Sequence, residues 1–206
     1  MKLILATKNQ GKLAEMQELL TDLPFELVSL AAYPELPEIE ETGESFAENA
    51  AIKAEKVMLA TGELVLADDS GLEVDALGGR PGVYSARFAG AGQGDKANNQ
   101  KLLSELSGVA KKGRTARFQT VVAMAAPGRE TAFAVGCVEG LIAEEERGDG
   151  GFGYDPLFYL PLADKTFAQM TPQEKNQISH RAEALAKAKE VLRTMAADIL
   201  KQDTAK

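Results

Sequence analysis

The sequence predicts a mixed α/β protein, and three observations carry that expectation. Short apolar runs alternate with helical patterns along the N-terminal third, in the order β-α-β-α-β. Two long strand patterns then follow one another directly, joined at Pro127-Gly128, which is the signature of a hairpin. A final helical pattern closes the chain. Parallel crossovers plus a hairpin give a mixed sheet with helices around it, not a clean doubly wound one.

Each element has a local reason. Lys2 to Ala6 is a short apolar strand, followed by the polar turn Thr7-Lys8-Asn9-Gln10-Gly11-Lys12. Leu13, Met16, Leu19 and Leu20 then recur at helical spacing. Phe25 to Leu30 reads as a second strand, and the acidic, proline-containing stretch Pro34 to Glu41 as a loop. Ser45 and Glu48 have capping-box spacing at the head of a helix running to about Thr61, with Phe46, Ala50, Ala54 and Val57 on one stripe. The apolar run Leu64 to Ala67 is expected to end on Asp68-Asp69-Ser70-Gly71, because Asp next to Gly favours a turn. Gly71 to Gly94 is glycine-rich and reads as loop, and Gly94 to about Leu106 as helix. The hairpin strands cover roughly Thr115 to Ala125 and Thr131 to Ala143. In the first, Phe118, Thr120 and Val122 alternate with Gln119, Val121 and Ala123. Gly148 to Pro156 is a glycine loop leading to Leu157-Phe158-Tyr159. Thr171-Pro172-Gln173-Glu174 combines a capping box with proline at the first helical position. The last helix, about Ser179 to Leu200, carries Leu185, Ala188, Leu192, Met195 and Ile199.

Composition narrows the function. The chain has 206 residues and a formal charge of -8, which disfavours broad nucleic-acid contact because phosphates need basic surface. A few local lysines still suffice for a small phosphate ligand. No apolar stretch approaches the ~20 residues of a membrane span, and the N-terminal apolar run is too short for a signal peptide. The single cysteine, Cys137, makes no internal disulfide and is expected in the core, so the simplest compartment is the cytoplasm. With one histidine, His180, any zinc site, Cys/His pair or Ser/His/Asp triad must use it or be absent. A metal here is expected to be a hard cation held by oxygen.

The candidate chemistry starts at Asp68-Asp69, where an apolar strand delivers two carboxylates to its carboxyl end, the side on which α/β proteins bind ligands. Asp69, nearer the turn, is expected to be the working group and Asp68 a support or second ligand. The acidic loop residues Glu38, Glu40 and Glu41 are further candidates for a hard cation. Thr7 to Lys12 places amides and a lysine at a helix start, suited to phosphate, although the P-loop spacing is absent. Gly148-Asp149-Gly150-Gly151-Phe152-Gly153 matches G-x-G-x-x-G literally, but it follows an acidic run and precedes Asp155-Pro156. It therefore does not open a helix as a dinucleotide fingerprint must. Its aromatics, Phe152 and Tyr154, suit stacking on a base, with Asp155 as an acceptor, or simple packing. Lys175, Ser179, His180 and Arg181 gather donors at a helix start, suited to an anion or to base carbonyls, or simply to a capped, basic surface.

Together these segments resemble the inosine/xanthosine triphosphate pyrophosphatase family, also called Ham1-like. The matching stretches are Leu5-Ala6-Thr7-Lys8-Asn9-Gln10-Gly11-Lys12, Glu41-Thr42-Gly43-Glu44-Ser45-Phe46 with Glu48-Asn49-Ala50 and Lys53-Ala54, and Ala67-Asp68-Asp69-Ser70-Gly71-Leu72. Gly78 to Arg87, Gly150-Gly151-Phe152-Gly153-Tyr154-Asp155-Pro156 and Ile178-Ser179-His180-Arg181 complete the set, in family order. The resemblance implies one domain over residues 1–206, with an elongated mixed sheet and an active-site cleft between two lobes. It implies hydrolysis of ITP, dITP and XTP to monophosphate and pyrophosphate, a Mg²⁺ requirement and a homodimer. By the resemblance, the segment Thr7, Lys8, Asn9, Gln10, Gly11 and Lys12 binds substrate, with Thr7, Asn9 and Lys12 on the triphosphate. Glu41 and Asp69 hold Mg²⁺, Asp69 also accepts the proton of the attacking water, Lys53 is a second catalytic or phosphate-binding group, and Ser70 contacts substrate. Phe152 stacks on the base, Gly153, Tyr154 and Asp155 complete that wall, and Lys175, His180 and Arg181 reach the base edge.

Three other readings stand beside this one. A Maf-like pyrophosphatase would differ in its substrates. An aspartate-nucleophile phosphatase needs a second Asp two positions on, where Ser70 and Gly71 stand instead. A nucleotide-binding regulator would bind without turnover.

Overall fold

The computed structural model describes residues 1–204, with side-chain packing through Asp198. β1 (Lys2–Leu5) pairs in parallel with β2 (Glu26–Ser29) and with β3 (Leu64–Val74), in the register Leu3↔Leu64, Ile4↔Val65, Leu5↔Leu66. α1 (Gln10–Leu19) and α2 (Phe46–Thr61) are therefore crossover helices between parallel strands. α3 (Gly94–Glu105) precedes β4 (Thr115–Ala125) and β5 (Ala132–Ile142), which neighbour each other as the Pro127-Gly128 turn requires. β6 (Phe158–Leu160) pairs antiparallel with β5 and with β7 (Lys165–Thr166). The sheet has seven strands in the order β2-β1-β3-β4-β5-β6-β7, and the fold is mixed α/β as expected. α4 (Pro172–Ile178) and α5 (His180–Thr204) complete the chain.

The chain groups into two compact units. The first comprises Met1–Asp69, Val121–Gly136 and the C-terminal segment from Ala182; the second comprises Ser70–Thr120 and Cys137–Arg181. In the first, Leu3, Leu5, Met16, Leu20, Leu66, Leu185, Ala188 and Leu192 pack as one core. The expected α5 stripe is buried at Leu185, Ala188, Leu192 and Met195, and Ile199 lies outside the residues whose packing is described. In the second, Leu72, Leu102, Phe118, Tyr154, Phe158 and Phe167 do the same.

Three expectations are corrected. β3 does not stop at Asp68-Asp69 but runs on to Val74. Leu72 and Val74 are fully buried in the second core, and the Leu72 N–H donates to Ser85 Oγ at 2.9 Å. Lysines balance the two acids, so the strand carries them through the interior instead of turning out to water. Cys137 is exposed, because Ala134 and Gly136 take the inward positions of β5 and leave Phe133, Val135 and Cys137 outward. At the head of α2, Ser45 Oγ accepts the Glu48 N–H at 3.2 Å, but the Glu48 carboxylate accepts from Glu44 N–H at 2.6 Å and not from Ser45. The capping box is thus shifted by one residue on its return side.

Candidate active site

The first functional group lies wholly within the first unit. Asp68 and Asp69 are adjacent on β3 and only 1% and 6% exposed. Buried carboxylates need cations or donors, and two helices supply lysines. Lys12, in the first turn of α1, places Nζ 3.1 Å from Asp68 Oδ2. Lys53, in the middle of α2, places Nζ 3.3 Å from Asp69 Oδ1 and 2.8 Å from Glu41 Oε1. Lys53 thus joins the loop acid Glu41 to the strand acid Asp69. Burial opposes the Lys53 charge, but Asp69, Asp68 and Glu41 outweigh it and lift its pKa above the ordinary lysine value. Burial also raises the Asp69 carboxyl above the usual aspartate range. Lys53 and Lys12 oppose that rise, while Glu41 and Asp68 add to it.

Asn49 explains why Glu41 is in reach. It stands one helical turn before Lys53 on α2, and its Oδ1 accepts the Gly43 N–H at 2.8 Å. A Cβ at Gly43 would lie 2.6 Å from Glu48 Cβ and 2.8 Å from Asn49 Oδ1, so only glycine lets the loop close on the helix here. Of the other acidic candidates, Glu38 makes an exposed 3.7 Å pair with Lys8, and Glu40 is exposed.

The same unit carries the polar turn before α1. Thr7 Oγ1 accepts the Asn9 N–H at 3.2 Å, and Asn9 Oδ1 caps the helix by accepting the Lys12 N–H at 3.0 Å. Gln10 and Gly11 are the first helical residues, whose amides have no intrahelical partner. This is the geometry of an anion-accepting helix start.

Asp69 offers an oxygen suited to Mg²⁺. Its Oδ2 is buried and makes no hydrogen bond. Glu41, at 30% side-chain exposure, is the second carboxylate beside it through Lys53. No cluster of three or more His, Cys, Asp or Glu suited to a metal occurs among the described residues. Two carboxylates with water and phosphate oxygens are nevertheless what Mg²⁺ ordinarily takes. The donor set therefore fits.

The second functional group lies within the second unit. The glycine loop leads into β6 and opens no helix, as expected. Phe152 is half-buried, whereas Asp155 is 2% exposed. Lys175 on α4 donates to Asp155 Oδ2 at 2.6 Å, and its Nζ lies 4.7 Å from the centre of the Phe152 ring. The Arg181 guanidinium lies 5.8 Å from the same ring, and its Nη2 donates to Ser70 Oγ at 2.9 Å. Lys175, His180 and Arg181 are 5%, 3% and 1% exposed, which overturns the alternative of surface basics beside a capping serine. The His180 ring stacks on Phe118 at 4.7 Å and 9°, leaving its edge rather than that face for any ligand. Tyr154 turns inward, is 4% exposed, and donates its hydroxyl to the Ser85 carbonyl at 2.8 Å. Its side chain packs the loop onto the core.

Gly151 has φ +72°, and a Cβ there would lie 2.1 Å from Asp155 Oδ2. Gly151→Ala should therefore lower stability by about 1–3 kcal/mol, read as a fall in Tm; an unchanged Tm would mean that the loop does not need this conformation.

The sequence by itself assigns no role to Asn49, Ser85, Asp95 or Asn99. Asn98 and Asn99 did carry a signal: two successive asparagines inside a helix are poor helix formers and ask for another purpose. Both are buried. Asn98 accepts the Ala89 N–H at 2.7 Å and Asn99 donates to the glycine loop.

The fold and these two groups define a mixed α/β protein with a lysine-balanced acidic centre and an aromatic loop backed by buried cations. The sequence model of the Ham1 family matches residues 3–191, and the chain belongs to that family. A relative from Desulforamulus reducens, named dITP/XTP pyrophosphatase, is 55% identical over 192 residues, covering 93% of this chain and 96% of the relative. The structure of the Ham1 protein from Staphylococcus aureus superposes with a TM-score of 0.85 at 41% identity, covering 95% of this chain and 100% of that one. That of a HAM1 protein from Coxiella burnetii gives 0.86 at 44% identity, covering 94% and 99%.

Proposed function

We infer that this chain hydrolyses noncanonical purine nucleoside triphosphates, dITP, ITP and XTP, to the monophosphate and pyrophosphate. The carrying observation is the Glu41–Lys53–Asp69 group, built on the buried Asp69 carboxyl with its raised pKa, in a chain 55% identical to a dITP/XTP pyrophosphatase. Cleaving a phosphoanhydride needs charge neutralisation and an aligned water more than covalent chemistry. Asp69 accepts a proton from the water as its oxygen bonds to phosphorus, and the bond between the α- and β-phosphates breaks, releasing pyrophosphate. Lys12 and Lys53 offset the phosphate charge, with Thr7, Lys8, Asn9, Gln10 and Gly11 binding at the α1 start. Glu41 and Asp69 are the residues that would hold Mg²⁺, which when bound neutralises phosphate charge and acidifies water.

In the second unit, Phe152 offers its ring to the base, and Lys175, His180 and Arg181 offer donors to its edge, with Ser70, Gly153, Tyr154 and Asp155 around them. A 6-oxo group accepts from Lys175 or Arg181. Adenine presents an amino donor there and leaves a buried cation unmatched, which a polar site rejects strongly. The whole chain acts as one Ham1-like domain, as a homodimer in the cytoplasm, clearing these nucleotides from the pool without stable nucleic-acid binding. No helix among the described residues is long and apolar enough to cross a membrane.

Ion-exchange analysis of products from ITP, XTP, ATP and GTP, with and without chelator, tests this. Pyrophosphate from ITP and XTP, little turnover of ATP or GTP, and loss of activity on chelation are expected. Orthophosphate as the first product would sink the reading.

A further inference from the structure

We propose that Asp95 and Asn99 of α3 are positioning residues that set base selectivity by gripping the Gly153 residue of the aromatic loop from both sides. The proposal rests on the reading of that loop as the base site. The Gly153 N–H donates to Asp95 Oδ2 at 2.7 Å, and the Gly153 carbonyl accepts from Asn99 Nδ2 at 3.2 Å. Asn99 is 3% exposed, and the same Nδ2 also donates to Glu146 Oε1 at 3.0 Å, so its amide is held in place while it holds the loop. Asp95 sits in the first turn of α3, where the helix dipole favours a carboxylate.

Phe152 is consequently tied on both sides of its Cα. Its own N–H donates to Asp155 Oδ2 at 3.0 Å, the oxygen that Lys175 also holds. Its carbonyl accepts the Asp155 N–H at 3.2 Å, and the amide of the peptide that follows it belongs to Asp95. Both α3 residues bond to the backbone of Gly153, and through it they decide where the Phe152 ring stands relative to Lys175, 4.7 Å from its centre. Discrimination between 6-oxopurines depends on matching donors to one base edge, and a ring free to shift by about 1 Å loses that match.

Asp95 is exposed, so its variants should fold. Asp95→Ala is expected to raise KM for ITP about tenfold with kcat within about twofold, and to lower the ITP-over-GTP ratio of kcat/KM by about tenfold, the scale of one charge-assisted hydrogen bond. Asp95→Asn keeps an acceptor oxygen and should recover most of both. In the nucleotide-free protein, hydrogen exchange at the Gly153 amide should quicken in the Ala variant and return towards wild type in the Asn variant. Unchanged KM, selectivity and exchange, or a loss confined to kcat, would overturn the proposal. If instead the wild type fails to turn over ITP while exchange responds as stated, the grip stands and the base-site reading, with the selectivity role, falls.

Discussion

Asp69→Asn should lower ITP turnover by about 10³-fold or more, since general-base catalysis alone contributes roughly 10²–10⁴ and the same carboxylate is a metal-ligand candidate. Steady-state pyrophosphate release measures the effect, and retained activity would remove Asp69 from the base role. The pH profile supplies an independent check. Asp69 must be ionised to accept a proton, and burial raises its pKa above the usual aspartate range. Activity should therefore fall as pH drops through that raised value, at higher pH than an ordinary aspartate would give. Residual activity of the Asn variant should lack this limb. Stability responds with the opposite sign. A carboxyl whose pKa is raised on folding binds its proton more tightly in the folded state, so its ionisation costs stability as pH rises through the window between the unfolded and folded values. Lys53, raised in its turn, contributes stability below its unfolded pKa that is lost as pH rises through the folded one. Asn removes the first cost and weakens the second gain, so a folded variant is expected by circular dichroism.

Lys175→Met should cost about 3–5 kcal/mol of stability, because it breaks the buried 2.6 Å pair with the 2%-exposed Asp155 carboxylate. Urea unfolding reads this directly. kcat/KM for ITP should fall by about 10²-fold as well, since a donor to the base edge is lost. The two effects separate in the Lys175→Met, Asp155→Asn double variant. Neutralising both partners should restore most of the stability, as replacing a buried pair commonly does, while selectivity for the 6-oxo group stays lost. Recovery of full activity in that variant would remove Lys175 from base recognition.

The helices were largely legible because their signals are local. Ser45 and Glu48, Thr171 through Glu174, and the stripe at Leu185, Ala188 and Leu192 each state a helix boundary or face within a few residues. The strand carrying the acids was not. Asp-Asp-Ser-Gly has the local character of a turn, and what keeps it extended is two lysines, 56 and 16 positions upstream of their respective partners, that remove the cost of burying the charges. β7, only two residues long, was missed for a similar reason: nothing in Lys165-Thr166 marks a strand until β6 lies beside it.

The acidic pair Asp68-Asp69, the polar turn ending at Lys12, the aromatic glycine loop and the Ser179-His180-Arg181 run were legible in the sequence by residue type and spacing, whereas Lys53 entered only through the family resemblance. Tertiary structure decided which cation meets which acid, Lys12 with Asp68 and Lys53 with Asp69 and Glu41. It also decided that His180 and Arg181 are buried and that Asp95 and Asn99 hold Gly153. Those facts depend on distances between residues remote in the chain, and such distances exist only once the helices have packed and the sheet has formed.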